Sequence, residues 1–320
     1  MMNSIEIMKK EIELQSYGLK IKRSGKNSES DNYLFVGSGD SYISGLLASY
    51  ESNFNYLCMD PAEIIINPNL CQDKRVCFIS ISGKTKENIL AAKKAKKYST
   101  ETIAITANPS SELAKNCMKT ITLDYQKPES AATGTLSFIV TTLTLLSLIN
   151  GIKKNIRTEL IYQKAEETSA KIIDRIKKYF YLHKDHSVIF LGNSILFPIS
   201  SYASLKFNEV FGVKSFAYSL EQFCHSPLFS ISNNDIIIIF LSKNQHLNEK
   251  AKKLSNNLNS LKFKAVIIEI PYKNTIEIFL MASFIIEMLV YRLAIEKGMN
   301  ECYFLENKNL LKISSELIYN

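Results

Sequence analysis

Short apolar runs alternate with segments of helical periodicity along most of the chain. In the first half, the runs predict β-strands at residues 33–36, 56–59, 76–79, 102–106 and 120–123. In the second half, they predict strands at residues 188–191, 215–218, 236–241 and 265–270. The segments between them predict helices near residues 42–51, 86–98, 111–117, 201–211 and 247–258. This alternation indicates an α/β fold with mainly parallel sheets flanked by helices.

The two halves of the chain resemble each other. An apolar strand followed by a glycine and a helix occurs twice, as LFVGSGDSYISG from Leu34 and as IFLGNSILFPIS from Ile189. A second matching pair is Phe78-Ile79-Ser80 and Phe240-Leu241-Ser242. A repeat on this scale predicts that one α/β unit is duplicated. The predicted organisation is a helical lead-in at 1–30, a first domain at 31–153, a connector helix at 154–183, a second domain at 184–298 and a tail at 299–320.

Composition and charge narrow the class of protein. Hydrophobic residues make up 46% and charged residues 22% of the chain, which is typical of a soluble globular protein. The formal net charge is +8, but the lysines are spread along the chain in short groups on predicted helix faces. No nucleic-acid-binding motif accompanies them. We therefore expect no nucleic-acid partner.

Cysteine usage and the apolar segments bear on the compartment. The six cysteines form no C-x-x-C pair, so we expect reduced thiols. Residues 1–10 carry mixed charge and lack the apolar run of a signal peptide. Residues 131–150 are apolar enough to suggest a membrane span, but their threonines favour a helix buried between a sheet and a partner subunit. The prediction is a cytoplasmic protein with no membrane partner.

A hydroxyl-rich glycine loop lies between the predicted strand at 76–79 and the helix at 86–98. Its sequence is Ser80-Ile81-Ser82-Gly83-Lys84-Thr85. The first N–H groups of a helix lack intrahelical partners, and the helix dipole adds positive charge there. The three hydroxyls can donate to phosphate oxygens, while the glycine lets the backbone approach them. The alternative is an ordinary strand-to-helix turn with a capping Ser or Thr. The second half has Ser242-Lys243-Asn244-Gln245 at this place, which indicates that the halves have divided the work.

Four sequence blocks, taken together, carry a resemblance to a known family. They are Gly37-Ser38-Gly39-Asp40-Ser41-Tyr42, Ile79-Ser80-Ile81-Ser82-Gly83-Lys84-Thr85, Ala203-Ser204-Leu205-Lys206-Phe207-Asn208-Glu209 and Glu221-Gln222-Phe223-Cys224-His225-Ser226-Pro227. In this order, from about residue 30 to the end, the chain resembles the sugar isomerase (SIS) family. It is most similar to the isomerase half of glucosamine-6-phosphate synthase and to the archaeal type of glucosamine-6-phosphate deaminase. The resemblance implies two tandem SIS domains, each a flavodoxin- or Rossmann-like three-layer sandwich.

The resemblance also implies roles for individual residues. The phosphosugar-binding residues it implies are Ser41, Ser80, Ser82, Thr85 and Thr135. The catalytic residues it implies are Glu209, which moves the proton between C1 and C2, His225, which opens the sugar ring, Lys206, which lies near C2, and Lys312, whose tail covers the substrate. The family usually supplies the histidine from the neighbouring subunit, which implies a homodimer. No cofactor and no metal ion are expected.

The residue types suit this chemistry independently of the resemblance. A carboxylate in a partly dry pocket can move a C2 proton, a histidine titrates near neutrality, and a lysine can stabilise an enediolate oxygen. The alternatives are a solvated Glu209, a surface or capping His225 and an ordinary tail lysine at 312. A Cys–His nucleophile at Cys224 and His225 is disfavoured, because adjacent residues on an extended segment point in opposite directions.

The expected function is a phosphosugar isomerase or deaminase acting on a hexose 6-phosphate. The favoured reaction converts glucosamine 6-phosphate to fructose 6-phosphate and ammonia. Because no cysteine precedes Cys58, we expect no glutamine hydrolysis within this chain. One alternative is an aldose–ketose isomerase of glucose or mannose 6-phosphate without nitrogen chemistry. The other is a sugar-phosphate sensor that catalyses nothing.

Overall fold

The computed structural model describes residues 2–17, 19, 32–126, 133–150, 156–182, 185–243 and 248–319. Its contacts divide the chain into two compact units. Unit 1 comprises Met1–Tyr17, Pro128–Thr135 and Ile156–Glu306, and unit 2 comprises Gly18–Lys127, Leu136–Asn155 and Asn307–Asn320.

The strands are β1 (Tyr33–Val36), β2 (Leu57–Met59), β3 (Arg75–Ile79), β4 (Glu101–Thr106), β5 (Lys119–Thr122), β6 (Ser187–Leu191), β7 (Lys214–Tyr218), β8 (Ile236–Ser242) and β9 (Lys264–Ile270). The helices are α1 (Ser4–Tyr17), α2 (Asp40–Glu51), α3 (Pro61–Ile66), α4 (Lys86–Ala95), α5 (Glu112–Lys115), α6 (Leu136–Asn150), α7 (Thr158–Leu182), α8 (Leu196–Phe211), α9 (Leu220–His225), α10 (Asn248–Ser260), α11 (Thr275–Glu296), α12 (Tyr303–Glu306) and α13 (Lys308–Tyr319). Two 3₁₀ turns lie at Pro68–Cys71 and Pro227–Ser230.

Unit 2 contains a parallel sheet with the strand order β2-β1-β3-β4-β5. Strand side chains alternate between the two faces, and both faces are covered. Leu34 and Val36 of β1 share one apolar cluster with Ala91 and Ala92 of α4. On the other face, Phe35 lies against α2 at Gly45, where an added Cβ would come within 3.1 Å of the phenylalanine Cβ. Helix burial on both faces explains why β1 is apolar at every position.

Unit 1 contains a second parallel sheet, with the order β7-β6-β8-β9. β8 is buried along its whole length, as expected for a central parallel strand. Ile189 and Leu191 of β6 share a cluster with Phe223 of α9. Phe190 faces the other side, where its ring centroid lies 5.1 Å from that of Phe207 on α8. In both units, the first strand lies between the second and the third.

The predicted α/β class with parallel, helix-flanked sheets is confirmed, and every predicted strand is present. The largest difference at a helix start concerns α8, which was predicted from residue 201 and begins at Leu196. Pro198 therefore lies inside the helix, in its first turn, where a proline removes no intrahelical hydrogen bond. Helices α4 and α5 are shorter than predicted, ending at Ala95 and Lys115.

Two apolar helices bear on the question of a membrane span. The segment predicted at 131–150 forms α6 only from Leu136, and residues 131 and 132 lie outside the described part of the chain. Among the described residues, one helix, α11, has the length and the apolar composition needed to cross a membrane. However, 83% of its most apolar window is buried within the protein. Burial of this kind is typical of a core helix.

The compact units are discontinuous in sequence. Helix α1, predicted only as a lead-in, belongs to unit 1, where Met8 is fully buried. The Ser4 hydroxyl accepts a hydrogen bond of 2.7 Å from the Cys302 amide, which ties the start of α1 to the segment before α12. Residues 133–135 also belong to unit 1, whereas α6 and α13 belong to unit 2. The sequence-based domain boundaries remain a prediction.

Candidate functional site

The hydroxyl-rich loop of unit 2 follows β3 and leads into α4. Its hydroxyls lie close together: Ser80 Oγ is 3.0 Å from Thr85 Oγ1. Ser80 Oγ also accepts a hydrogen bond of 3.2 Å from the Gly83 amide, and Ser82 Oγ accepts one of 3.2 Å from the Lys84 amide. Thr85 is the N-cap of α4, yet its side chain makes no capping hydrogen bond. Thr85 therefore does not cap α4 through its side chain, and the phosphate-binding role of this loop stays a prediction.

The conformation of this loop requires a glycine at position 83. Gly83 has φ +64°, and a Cβ there would lie 2.1 Å from Ser111 Oγ. Its carbonyl accepts a hydrogen bond of 3.1 Å from the Leu113 amide, and the Ile81 carbonyl accepts one of 3.1 Å from the Thr106 hydroxyl. The loop is therefore held against the segment that follows β4.

Ser41 lies in the first turn of α2, directly after β1. Because β1 and β3 are neighbouring parallel strands, Ser41 and the loop at residues 80–85 both follow the carboxyl ends of these strands. In the order β2-β1-β3-β4-β5, the connections after β1 and β3 leave on opposite sides of the sheet. Open α/β sheets bind ligands at such a switch point. The topology thus places the four predicted phosphate-binding hydroxyls of unit 2 at one edge.

A buried lysine and a half-exposed glutamate form a pair on α8 of unit 1. Lys206 is 1% exposed, and its Nζ donates to Glu209 Oε2 at 2.7 Å and to Thr133 Oγ1 at 2.9 Å. The Thr133 hydroxyl also donates to Glu209 Oε2. The Glu209 side chain is 35% exposed, and within the described residues its Oε1 makes no hydrogen bond. One carboxylate oxygen is therefore fixed, and the other is available to a ligand.

Thr135, predicted to bind the phosphosugar, uses its hydroxyl within unit 1. It is 1% exposed and donates to Glu11 Oε2 of α1 at 2.6 Å, while its amide donates to the same oxygen at 3.3 Å. Its ligand-binding role stays a prediction. Thr133, which the sequence did not single out, contacts both Lys206 and Glu209.

His225 is the last residue of α9, and its side chain is 72% exposed. Its Nε2 lies 3.3 Å from Glu221 Oε1. The Lys250 ammonium pairs with Glu221 and lowers the pKa of that carboxyl. Within the described residues, no hydrogen bond joins His225 to Glu209, and its catalytic role stays a prediction.

The Cys–His nucleophile is not supported. Cys224 and His225 lie in a helix, which corrects the assumption of an extended segment, but adjacent helical side chains also point apart. Burial raises the pKa of the Cys224 thiol, which disfavours the reactive thiolate. All six cysteines are free. Among the residues that the structure describes, no group of three or more His, Cys, Asp or Glu side chains could hold a metal ion.

Lys312 lies on α13 of unit 2, where its side chain is 77% exposed and its Nζ is 3.9 Å from Glu316 Oε1. Its role over the substrate stays a prediction.

In unit 1, Asn208 between Lys206 and Glu209 has a structural role: its Oδ1 accepts a hydrogen bond of 3.1 Å from the Ser215 amide. This contact ties α8 to β7.

Sequence reasoning missed four polar residues buried beside the lysine–glutamate pair: Glu11, Gln15, Tyr202 and Glu287. A signal was present for three of them. Glu11 and Gln15 are four residues apart, so they share one face of α1 with the apolar Met8 and Ile12. Glu287 is an acidic residue within the long apolar sequence of α11. A charge at such a position needs a partner or a bound proton.

Comparison with known proteins finds a family match in the first half of the chain. Residues 28–150 match the family model described as the SIS domain. The matched residues include the sheet and the hydroxyl-rich loop of unit 2.

Similar proteins cover nearly the whole chain. The C-terminal domain of glucosamine-fructose-6-phosphate aminotransferase from Francisella tularensis matches with a TM-score of 0.76 at 21% identity, over 92% of this chain and 97% of that one. Glucosamine-6-phosphate deaminase from Thermotoga maritima matches with a TM-score of 0.71 at 22% identity, over 92% and 95%. At these identities, the likeness establishes the fold.

A curated relative is the glutamine–fructose-6-phosphate aminotransferase (isomerizing) of Clostridium tetani. It is 23% identical over 97% of this chain and 55% of its own length. The corresponding protein of Buchnera aphidicola is 24% identical over 92% of this chain and 56% of its own length. The chain thus spans about half the length of the curated relatives it matches.

Proposed function

We propose that this chain is a phosphosugar isomerase that acts on a hexose 6-phosphate. The observation that carries the proposal is the Glu209 carboxylate, which is half-exposed and held through Oε2 by buried Lys206 and by Thr133. A carboxylate oriented in this way is suited to accept and return a proton. The relatives and structural neighbours of this chain include proteins named for amino-sugar and phosphosugar chemistry.

The favoured reaction is conversion of glucosamine 6-phosphate to fructose 6-phosphate and ammonia. The hydroxyls at Ser41, Ser80, Ser82 and Thr85 bind the phosphate, and His225 opens the ring. Glu209 removes the C2 proton and returns it at C1, while the Lys206 ammonium stabilises the negative charge that develops. Moving this hydrogen turns the 2-amino aldose into a 2-imino sugar, which water hydrolyses to the ketose and ammonia.

We further propose that unit 1 is a second SIS-type domain. Its sheet repeats the strand order of the first four strands of unit 2. The matching sequence segments of the two halves lie at the carboxyl ends of equivalent strands: β1 corresponds to β6, and β3 corresponds to β8. Duplication followed by specialisation accounts for a phosphate-type loop in one copy and the glutamate–lysine pair in the other.

The proposed assembly is a cytoplasmic homodimer in which each subunit supplies His225 to its partner. The supporting observation is the 72% exposure of this side chain, whose one partner among the described residues is another surface residue, Glu221. In the same proposal, Lys312 of the exposed helix α13 covers the substrate.

The decisive assay measures ammonia and fructose 6-phosphate formed from glucosamine 6-phosphate. Glu209→Gln should abolish turnover, because an amide cannot accept the proton, yet retain substrate binding measured by calorimetry. The matched control is Glu249→Gln, an exposed glutamate at the start of α10, which should behave as wild type. Turnover by the Glu209→Gln protein would show that another group is the base.

The same assay separates the alternative functions. Exchange of the C2 proton of glucose or mannose 6-phosphate without ammonia release would identify an aldose–ketose isomerase. Binding without any turnover or exchange would identify a sensor and refute the proposed enzyme activity.

A further inference from the structure

A buried polar chain connects α1, α8 and α11 of unit 1. Glu287 on α11 is 1% exposed and lies between two partners. Gln15 Nε2 donates to Glu287 Oε2 at 2.6 Å, and the Tyr202 hydroxyl lies 2.8 Å from Glu287 Oε1. The same hydroxyl lies 3.2 Å from the carbonyl oxygen of Gly134. The phenol thus connects a buried carboxyl group to the backbone of the turn at residues 133–135.

The number of available protons determines which hydrogen bonds these buried groups can form. The Tyr202 hydroxyl has one proton, whereas a carbonyl oxygen and an ionised carboxylate are both acceptors only. If Glu287 is ionised, the two acceptors compete for that proton. If Glu287 carries a proton, it donates to the Tyr202 oxygen, and the phenol donates to the Gly134 carbonyl. Each short contact then has its own proton.

The surroundings of Glu287 favour the protonated form. Burial raises the pKa of this carboxyl to about 8, and the nearby Glu11 carboxylate acts in the same direction. The hydrogen bonds from Tyr202 and Gln15 and the charge of Lys206 oppose the shift.

Helix α11 also packs against α7 and β9. On α7, burial raises the pKa of the Tyr162 phenol. The Glu166, Glu13 and Glu287 carboxylates act in the same direction, and Arg292 opposes them. The ionisable side chains of β9 have partners elsewhere. Lys264 lies over the Tyr179 ring, and Glu269 pairs with Lys252.

The turn at residues 133–135 that accepts this hydrogen bond also contains Thr133, the hydrogen-bond partner of Lys206 and Glu209. Gly134 lies between Thr133, which bonds both Lys206 and Glu209, and Thr135, which bonds Glu11. Lys206 Nζ itself lies 3.5 Å from the Gly134 carbonyl and 5.2 Å from the centre of the Tyr202 ring. The position of the turn therefore sets the position of Thr133 and, through it, the orientation of the Glu209 carboxylate.

We propose that Glu287 and Tyr202 are positioning residues: protonated Glu287 directs the Tyr202 phenol onto the Gly134 carbonyl and so holds Thr133 against Lys206 and Glu209. The catalytic consequence rests on the proposed function, whereas the order of the turn does not. An ionised Glu287 competes with the Gly134 carbonyl for the single proton of the phenol, so the turn loses this support.

The first test measures the turn without any substrate. Hydrogen exchange of a peptide containing residues 133–135 is compared in the wild-type, Glu287→Gln and Ser283→Ala proteins at about pH 6 and about pH 9. A glutamine can donate to Tyr202 and accept from Gln15 at any pH, so this variant should stay protected. The wild-type protein should exchange about tenfold faster than Glu287→Gln at about pH 9 and at the same rate at about pH 6. Ser283, which is fully buried on the same helix, provides the control and should follow wild type.

The second test measures the pH profile of kcat. Wild-type kcat should fall as the pH rises through about 8, whereas Glu287→Gln should lose this fall. Tyr202→Phe should lower kcat about tenfold or more with little change in KM, because phosphate binding uses other residues. Its kcat should not change near pH 8, since the link from Glu287 to the turn is absent.

The outcomes separate this inference from the proposed function. Equal exchange of the turn in the wild-type and Glu287→Gln proteins at both pH values overturns the inference, whatever the activity. A difference in exchange without turnover of any hexose phosphate supports the positioning role and refutes the proposed function. A difference in exchange together with an unchanged alkaline fall of kcat in Glu287→Gln overturns the catalytic part of the inference.

Discussion

At the scale of single residues, unit 1 treats two buried ionisable groups differently. Lys206 is buried but forms an ion pair, with its Nζ 2.7 Å from Glu209 Oε2. Glu287 lies among neutral donors and near another carboxylate, so its acid form is favoured. Burying a charge costs several kcal/mol unless it is paired, and an unpaired group binds or releases a proton instead. In the two proposals above, the charged pair serves the proton transfer, while the neutral acid positions the turn at residues 133–135.

The pH dependence of stability should report the buried proton of Glu287. This carboxyl has an ordinary pKa of 4.5, which burial raises to about 8 in the folded protein. Between these values the folded state holds a proton that the unfolded state has lost. Its stabilising contribution is thus complete below the lower value and lost as the pH rises through the upper one. From this group alone, the free energy of unfolding should fall by about 1.4 kcal/mol per pH unit.

Urea unfolding at several pH values within this window measures the slope. The slope for Glu287→Gln should be shallower than that for wild type by one bound proton, while Ser283→Ala should keep the wild-type slope. Identical slopes for wild type and Glu287→Gln would mean that Glu287 is ionised in the folded protein.

At the scale of elements, the loop between β3 and α4 depends on both the conformation and the size of Gly83. Its φ of +64° lies in the left-handed region, and Ser111 Oγ occupies the space that a Cβ would need. A glycine elsewhere in the chain, Gly298, has a similar φ of +70° but no atom within 4 Å of the same position. The two glycines therefore separate backbone strain from steric exclusion.

Gly83→Ala should lower the free energy of unfolding by roughly 2–4 kcal/mol, the sum of a left-handed alanine and a clash, whereas Gly298→Ala should lose only about 1–2 kcal/mol. Calorimetric titration with glucosamine 6-phosphate should show loss of binding for Gly83→Ala alone. Equal affinity in the two variants would mean that the loop does not bind the phosphate.

Strands and helices were predictable where the pattern of apolar residues within the segment itself indicates them. Every strand was expected within one residue of its observed ends. The strands β1, β3 and β8 are short apolar runs because they are buried along nearly their whole length. Helix α8 was expected to begin after Pro198, but the first turn of a helix tolerates proline. The packing role of α1 could not be foreseen, because its partners in α11 and in residues 133–135 are distant in sequence.

At the scale of the whole molecule, the proposed homodimer predicts that two inactive variants recover activity when their subunits are mixed. Glu209→Gln and His225→Ala should each be inactive alone. If each site combines Glu209 of one subunit with His225 of the other, a mixed dimer contains one intact site and one doubly altered site. Random exchange of equal amounts should then restore about a quarter of wild-type activity.

Mixing must include subunit exchange, checked by mass spectrometry of differently tagged chains. A mixture of Glu209→Gln with Glu209→Gln/His225→Ala provides the control and should stay inactive. Absence of any recovery after confirmed exchange would place both residues in the same subunit's site.

The sequence by itself determined the α/β class, the duplicated pattern, the hydroxyl-rich loop and the types of residue at positions 206, 209 and 225, because these are properties of local order and spacing. Only the tertiary structure decided how the side chains are used. It pairs Lys206 with Glu209 through Thr133, and it buries Glu287 against Gln15 and Tyr202. Such contacts join segments far apart in the chain, and the charge of a buried group depends on the water and partners that packing leaves around it.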